Sequence, residues 1–158
     1  MNVIFLDIDG VLNCADTKEK EPRGCIGVED DLAALLAEIV QETRAKIVLT
    51  STWQQGWDPV SPDRSAQYLN QKLAAHGLKI ADKTGKWQAT DRGEGIRDWL
   101  KRNPHAKRWV VLDDEIYWDF EAQGIMPHLI QTDFYDGGLQ PRHVKQAISM
   151  LSSRKAAA

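Results

Sequence analysis

Two closely spaced sets of acids are where this chain could do chemistry. Asp7 and Asp9 flank Ile8 just ahead of Gly10, and Asp113 and Asp114 stand side by side much further on. Between them come the hydroxyls of Thr50, Ser51 and Thr52, and a basic residue in Arg92-Gly93-Glu94. Carboxylate oxygens are hard ligands that suit a cation such as Mg2+. Hydroxyls, backbone amides and a guanidinium donate to the oxygens of an anion. Acids in a partly dry cleft take up protons unless a cation or a donor cluster compensates them, so a divalent metal is the natural candidate and the set suits phosphate chemistry.

Such residues must be brought together by rigid elements, and each set follows an apolar run. Val3-Ile4-Phe5-Leu6 ends on Asp7, Lys46-Ile47-Val48-Leu49 on the hydroxyls, and Trp109-Val110-Val111-Leu112 on the acid pair. Runs without polar alternation read as strands covered on both faces, the habit of a parallel sheet with helices on either side. His128-Leu129-Ile130-Gln131-Thr132 reads as a further strand. Open sheets of this kind hold ligands in the crevice beyond the carboxyl ends of their strands, and Gly10 would let the chain turn sharply there.

Helices are expected between the strands. Val28, Leu32, Leu35, Leu36, Ile39 and Val40 share one face of a helix ending near Arg44. A second should run from about Asp63 to His76, closed by Gly77. A third carries Ile96, Trp99 and Leu100, with Asp91 as its expected cap and Asn103-Pro104 as its stop. Gln140-Pro141 opens a closing helix with Val144, Ala147, Ile148 and Leu151 on one face. The pattern predicts a three-layer α/β/α, Rossmann-like fold around a central parallel sheet. Residues 1–152 should form one domain, with residues 54–91 a possible small insertion near the site and residues 153–158 a flexible tail.

At these motifs the chain resembles the haloacid dehalogenase (HAD) superfamily of phosphohydrolases. Asp7-Ile8-Asp9-Gly10-Val11, Ile47-Val48-Leu49-Thr50, Arg92-Gly93-Glu94 and Leu112-Asp113-Asp114 follow the family's order. It resembles in particular the small HAD domain of the RNA-repair and polynucleotide kinase-phosphatase type. The resemblance implies a minimal or absent cap, Asp7 as nucleophile forming an aspartyl-phosphate, and Asp9 as the acid that protonates the leaving group and later activates water. It implies Thr50, Ser51, Arg92 and Gly10 as contacts for the substrate. Mg2+ would be held by Asp7, the Asp9 carbonyl, and Asp113 or Asp114. The basic residue is usually Lys in the family, and Arg92 departs from that. The implied activity is that of a phosphatase acting on a nucleotide or a polynucleotide end phosphate.

Composition narrows the alternatives. A formal charge of -3 provides no overall basic field for nucleic acid, and two cysteines are too few for a disulfide scaffold. No apolar run approaches the roughly 18 residues of a membrane span, so a soluble, cytoplasmic protein with no membrane partner is expected. The four histidines lack zinc-ligand spacing. Residues 13–27, polar and of mixed charge, read as a solvated loop or as a flap over the site. Trp53 and Trp57, with Trp87, are either packed aromatics or a stacking platform for a base. Oligomeric state has no signature in the sequence. The competing functions are a receiver-like or catalytically silent phosphate-binding module, and a phosphatase of a small metabolite or phosphoprotein.

Overall fold

Five parallel strands lie in the order β3-β2-β1-β4-β5 in the computed structural model, which describes residues 1–152. The strands are β1 (Asn2–Leu6), β2 (Lys46–Leu49), β3 (Ile80–Lys83), β4 (Arg108–Asp113) and β5 (Leu129–Gln131). The helices are α1 (Asp30–Thr43), α2 (Arg64–Ala74), α3 (Arg92–Arg102) and α4 (Pro141–Leu151). The tail expected at 153–158 lies outside the described residues.

The central strands are apolar throughout because both faces of the sheet are covered. Ile4 and Leu6, Ile47 and Leu49, and Val110 and Leu112 point into one core, shared with Leu32, Leu36 and Ile39 of α1, Leu69 and Leu73 of α2, and Val144, Ala147 and Leu151 of α4. Val3 and Phe5, Val48, and Trp109 and Val111 point into the other, shared with Ile96 and Trp99 of α3 and with Phe120 and Ile125. The alternation required of a strand is present, but both sides of it are hydrophobic. Phe5 packs edge-on against both Trp99 and Trp109 at centroid distances of 5.4 and 5.8 Å.

Register aligns the strand ends. Leu6 pairs with Leu49 on one side and with Leu112 on the other. The next residues, Thr50, Asp7 and Asp113, therefore emerge level with one another, tied by amide bonds from Asp7 to the Leu112 carbonyl and from Thr50 to the Leu6 carbonyl, each 2.9 Å. Lys83 pairs with Leu49, which brings Thr84 to the same level on the outer side.

Two features differ from the sequence reading. β3 had no predicted counterpart: Ile80-Ala81-Asp82-Lys83 is an edge strand with two exposed residues, and it joins β2 across a register shift between Ile47 and Val48. Residues 54–91 accordingly hold α2 and β3 as well as loops. The expected cap of α3 is also different. Asp91 makes no side-chain bond to the helix, whereas Asp119, from the loop after β4, accepts from the Gly93 and Glu94 amides at 3.0 and 2.9 Å.

Candidate active site

The loops that leave β1, β2 and β4 meet at the carboxyl edge of the sheet. Carboxylate oxygens of Asp7, Asp113 and Asp114 lie within 4.8 Å of one another. Asp7 and Asp113 are buried, and Asp114 is half-buried. Gly10, at φ +81°, makes room for this grouping, because a Cβ there would stand 2.3 Å from Asp114 Oδ2. Its carbonyl accepts from the Thr132 hydroxyl at 2.6 Å and its amide donates to Asn13 Oδ1 at 2.9 Å, so Gly10 supports the turn on both sides.

Arg92 is the cation of this grouping. Its Nη1 is 2.9 Å from Asp113 Oδ2 and 3.5 Å from Asp7 Oδ1, while Nε and Nη2 both donate to the Trp87 carbonyl. The guanidinium lies 4.1 Å from the ring centre of Tyr117, a cation–π contact. The neighbouring lysines are engaged elsewhere: Lys83 donates to the Trp57 carbonyl, and Lys86 pairs with Glu94 and Asp98.

Electrostatics set the demand for a cation. Burial pushes the Asp7 carboxyl well above its ordinary range and the charge of Asp113 adds to this, against the pull of Arg92. Burial likewise raises Asp113, with Arg92 opposing. Asp114 is pushed up to about 7 by burial and then by the charges of Asp113 and Glu115. For Arg92, burial works against the charge, but Asp7 and Asp113 outweigh it and hold the guanidinium protonated. Three carboxylates thus face one guanidinium, and all three resist ionisation in the absence of more positive charge. An oxygen-only donor set with such an excess fits a hard divalent cation such as Mg2+.

The remaining predicted residues stand around this centre. Thr50 and Ser51 are fully buried beside Asp7; the Ser51 hydroxyl favours the ionised Asp7 carboxyl and accepts from the Trp53 amide at 3.2 Å. Thr84 approaches Thr50, hydroxyl to hydroxyl, at 3.5 Å, and the Gln54 side chain braces Thr84 and Gly85. The Asp9 side chain turns away from the acid cluster. Its Oδ1 accepts from Asn13 Nδ2 at 2.9 Å and its Oδ2 from Trp53 Nε1 at 3.2 Å.

Several contributors were not singled out from sequence. Asn13 sits in a turn, where an Asn is unremarkable, yet it is fully buried and braces Asp9, Gly10 and the Gly27 carbonyl. Asp119 and Tyr117 act on α3 and Arg92 across the fold, with no local pattern to reveal them. The two early tryptophans do not stack on each other. Trp57 is buried with its N–H on Asn70, while Trp53 stacks on Tyr68 with centroids 6.4 Å apart. Residues 19–25 lie along α2, where Glu21 takes the Ser65 hydroxyl and Arg23 pairs with Asp63 at 2.6 Å.

An all-parallel, Rossmann-like sheet whose central strands end on acids and hydroxyls is the architecture of a HAD domain. A family model described as the HAD domain in Swiss Army Knife RNA repair proteins matches residues 3–144. The chain belongs to that family, and membership points to phosphohydrolase chemistry in an RNA-repair setting. Searches of curated proteins and of solved structures found no significant match. Among the described residues no helix is long and apolar enough to cross a membrane.

Proposed function

We propose that this domain is a Mg2+-dependent phosphatase that removes the end phosphate of a nucleotide or polynucleotide through an aspartyl-phosphate on Asp7. The observation that carries the reading is the meeting of Asp7, Asp113 and Asp114 within 4.8 Å, with Arg92 2.9 Å from Asp113 and 3.5 Å from Asp7. Phosphoryl transfer asks chiefly for an in-line nucleophile, positioning, and neutralisation of charge on the phosphoryl oxygens. The acids, hydroxyls and guanidinium of this edge supply each of these.

In this reading an Asp7 oxygen attacks phosphorus while the bond from phosphorus to the leaving oxygen breaks. Asp9, protonated at that moment, gives its proton to the leaving oxygen. It then takes a proton from the water that attacks phosphorus and breaks the bond to Asp7. The Thr50 and Ser51 hydroxyls and the Arg92 guanidinium hold the phosphoryl oxygens, and Gly10 keeps the turn that admits Asp114. Asp7, Asp113 and Asp114, with the Asp9 carbonyl, would hold Mg2+, which screens the repulsion between the anionic nucleophile and the anionic phosphate.

Phosphate release tests the proposal, first from a generic aryl phosphate and then from 3′-phosphorylated oligonucleotides and mononucleotides. Each substrate is run with Mg2+, with chelator, and with Asp7→Asn. Turnover that needs the metal and vanishes in Asp7→Asn is expected. Full activity of Asp7→Asn would refute the nucleophile, and stable labelling of Asp7 without release would favour a receiver-like role.

A further inference from the structure

Asp9 is an exposed carboxylate with both oxygens held by neutral donors. Asn13 is immobilised by its own bonds to Gly10 and Gly27. Trp53 is held no less firmly. It lies two residues after Ser51, whose hydroxyl accepts its amide, and its ring stacks on Tyr68 at an interplanar angle of 30°. The Tyr68 hydroxyl in turn donates to Glu19 and accepts the Val28 amide at 2.9 Å. The indole N–H is thereby aimed at Asp9 Oδ2, 3.2 Å away.

Trp53 also borders a cavity of about 580 Å³, whose wall includes Asp9, Thr52, Gln55, Arg23 and Cys25. Asp7, Asp113 and Asp114 do not line it. Asp9, two residues from Asp7, is the residue that the proposed site shares with the wall of this cavity, so a leaving group that takes its proton from Asp9 has this cavity beside it to occupy.

We propose that Trp53 is the positioning residue for proton delivery, acting through Asp9, and that the cavity beside it receives the leaving group. This rests on the phosphohydrolase reading above. The indole is a donor that neither accepts nor supplies a proton at working pH. Its bond to Asp9 strengthens as the carboxyl becomes a carboxylate, so it assists the step in which the proton leaves, and it fixes the carboxyl plane against rotation. A leaving alkoxide needs that proton far more than a stable aryloxide does. The contribution of Trp53 should accordingly appear as leaving-group selectivity.

The test compares kcat/KM for an aryl phosphate and for a nucleoside 3′-monophosphate, because kcat/KM reports the step in which the leaving group departs. In Trp53→Phe, which keeps the ring and removes the N–H, the ratio of aryl to nucleoside rates should rise by roughly ten- to a hundredfold, the worth of one hydrogen bond to a charged group. In an Asp9→Asn background the same substitution should leave the ratio unmoved, since the effect runs through Asp9. An equal fall for both substrates would mean a structural role and overturn the proposal, as would a ratio unchanged by Trp53→Phe alone. An independent readout is the indole N–H resonance that Trp53→Phe deletes. It should shift in Asp9→Asn, and a stationary resonance would show that the contact is absent. No turnover by the unmodified protein overturns the phosphohydrolase reading and this proposal together. Turnover with an unmoved ratio overturns this proposal alone.

Discussion

Asp119→Ala is expected to cost the fold about 3 kcal/mol. The carboxylate is buried, 8 % exposed, and each oxygen accepts one amide of the first turn of α3, Gly93 at 3.0 Å and Glu94 at 2.9 Å. Hydrogen bonds to a charged partner contribute about 1.5–3 kcal/mol each, and loss of a helix cap about 0.5–2 kcal/mol. Two such bonds at one helix end are not fully additive, which places their joint loss near the upper end of the single-bond range and well short of twice it. Asp119→Asn should lose roughly half as much, because its amide oxygen can accept one N–H while its NH2 faces the other. Gly93→Ala reaches the same contact from the other side, since a Cβ there would stand 2.8 Å from Asp119 Oδ1. Urea unfolding read by tryptophan fluorescence measures all three, and against a usual total of about 5–15 kcal/mol the losses are readily resolved. Arg92 opens this helix, so phosphate release by folded Asp119→Asn should fall as well. A loss below about 1 kcal/mol for Asp119→Ala would refute the assignment of Asp119 as the cap of α3.

Arg92→Lys keeps the charge but cannot hold the Trp87 carbonyl with a fork while bonding Asp113 and stacking on Tyr117, so phosphate release should fall about a hundredfold, read as kcat/KM. Asp7→Asn should melt higher than the unmodified protein in chelator at pH 8. Burial, and then Asp113, raises the Asp7 carboxyl, so its contribution to stability is complete below the ordinary value of about 3.9 and is lost as pH rises through the folded value. Added Mg2+ should narrow that gap, and a lower melting point for Asp7→Asn in chelator would contradict the argument. His143 runs the other way. Burial lowers its imidazole, whose Nδ1 accepts the Gln140 amide at 2.9 Å as part of the capping box of α4. Stability from His143 is complete above the ordinary value of about 6.5 and is lost as pH falls through the folded one, with His128, also lowered by burial, acting in the same sense. The melting point should drop from pH 7.5 to pH 5, and His143→Gln, which can cap without titrating, should flatten the curve.

The strands that carry the acids were legible because the core demanded it. β1, β2 and β4 each meet two hydrophobic layers, and an uninterrupted apolar run has few other uses in a chain of this length. α1, α3 and α4 were legible for the complementary reason, that each buries one face, and α2 by the Gly77 that closes it. β3 was not, since Asp82 and Lys83 look like loop residues; the strand exists because β2 offers it an edge and Ile80 a place in the core. Such information is held by the partner strand, and local propensity carries little of it.

The same distinction separates the visible part of the site from the hidden part. Asp7, Thr50 and Asp113 could be read together because each follows a buried strand directly and the register sets them level. Asp91 precedes α3 in the chain and has the right chemistry for a cap, yet Asp119 takes the role from 26 residues beyond Gly93, where β4 and its loop bring it to the helix end. The Trp53 contact with Asp9 spans 44 residues and is equally silent in sequence. Arg92 shows what such hidden partners decide. At one position its side chain meets a backbone carbonyl, a buried carboxylate and an aromatic face. A lysine carries its donors on a single nitrogen with no planar fork, so it cannot take the Trp87 carbonyl bidentately while bonding Asp113 and lying flat on Tyr117. The fit of an arginine at this position is thus set by Trp87 and Tyr117, residues that no motif contains.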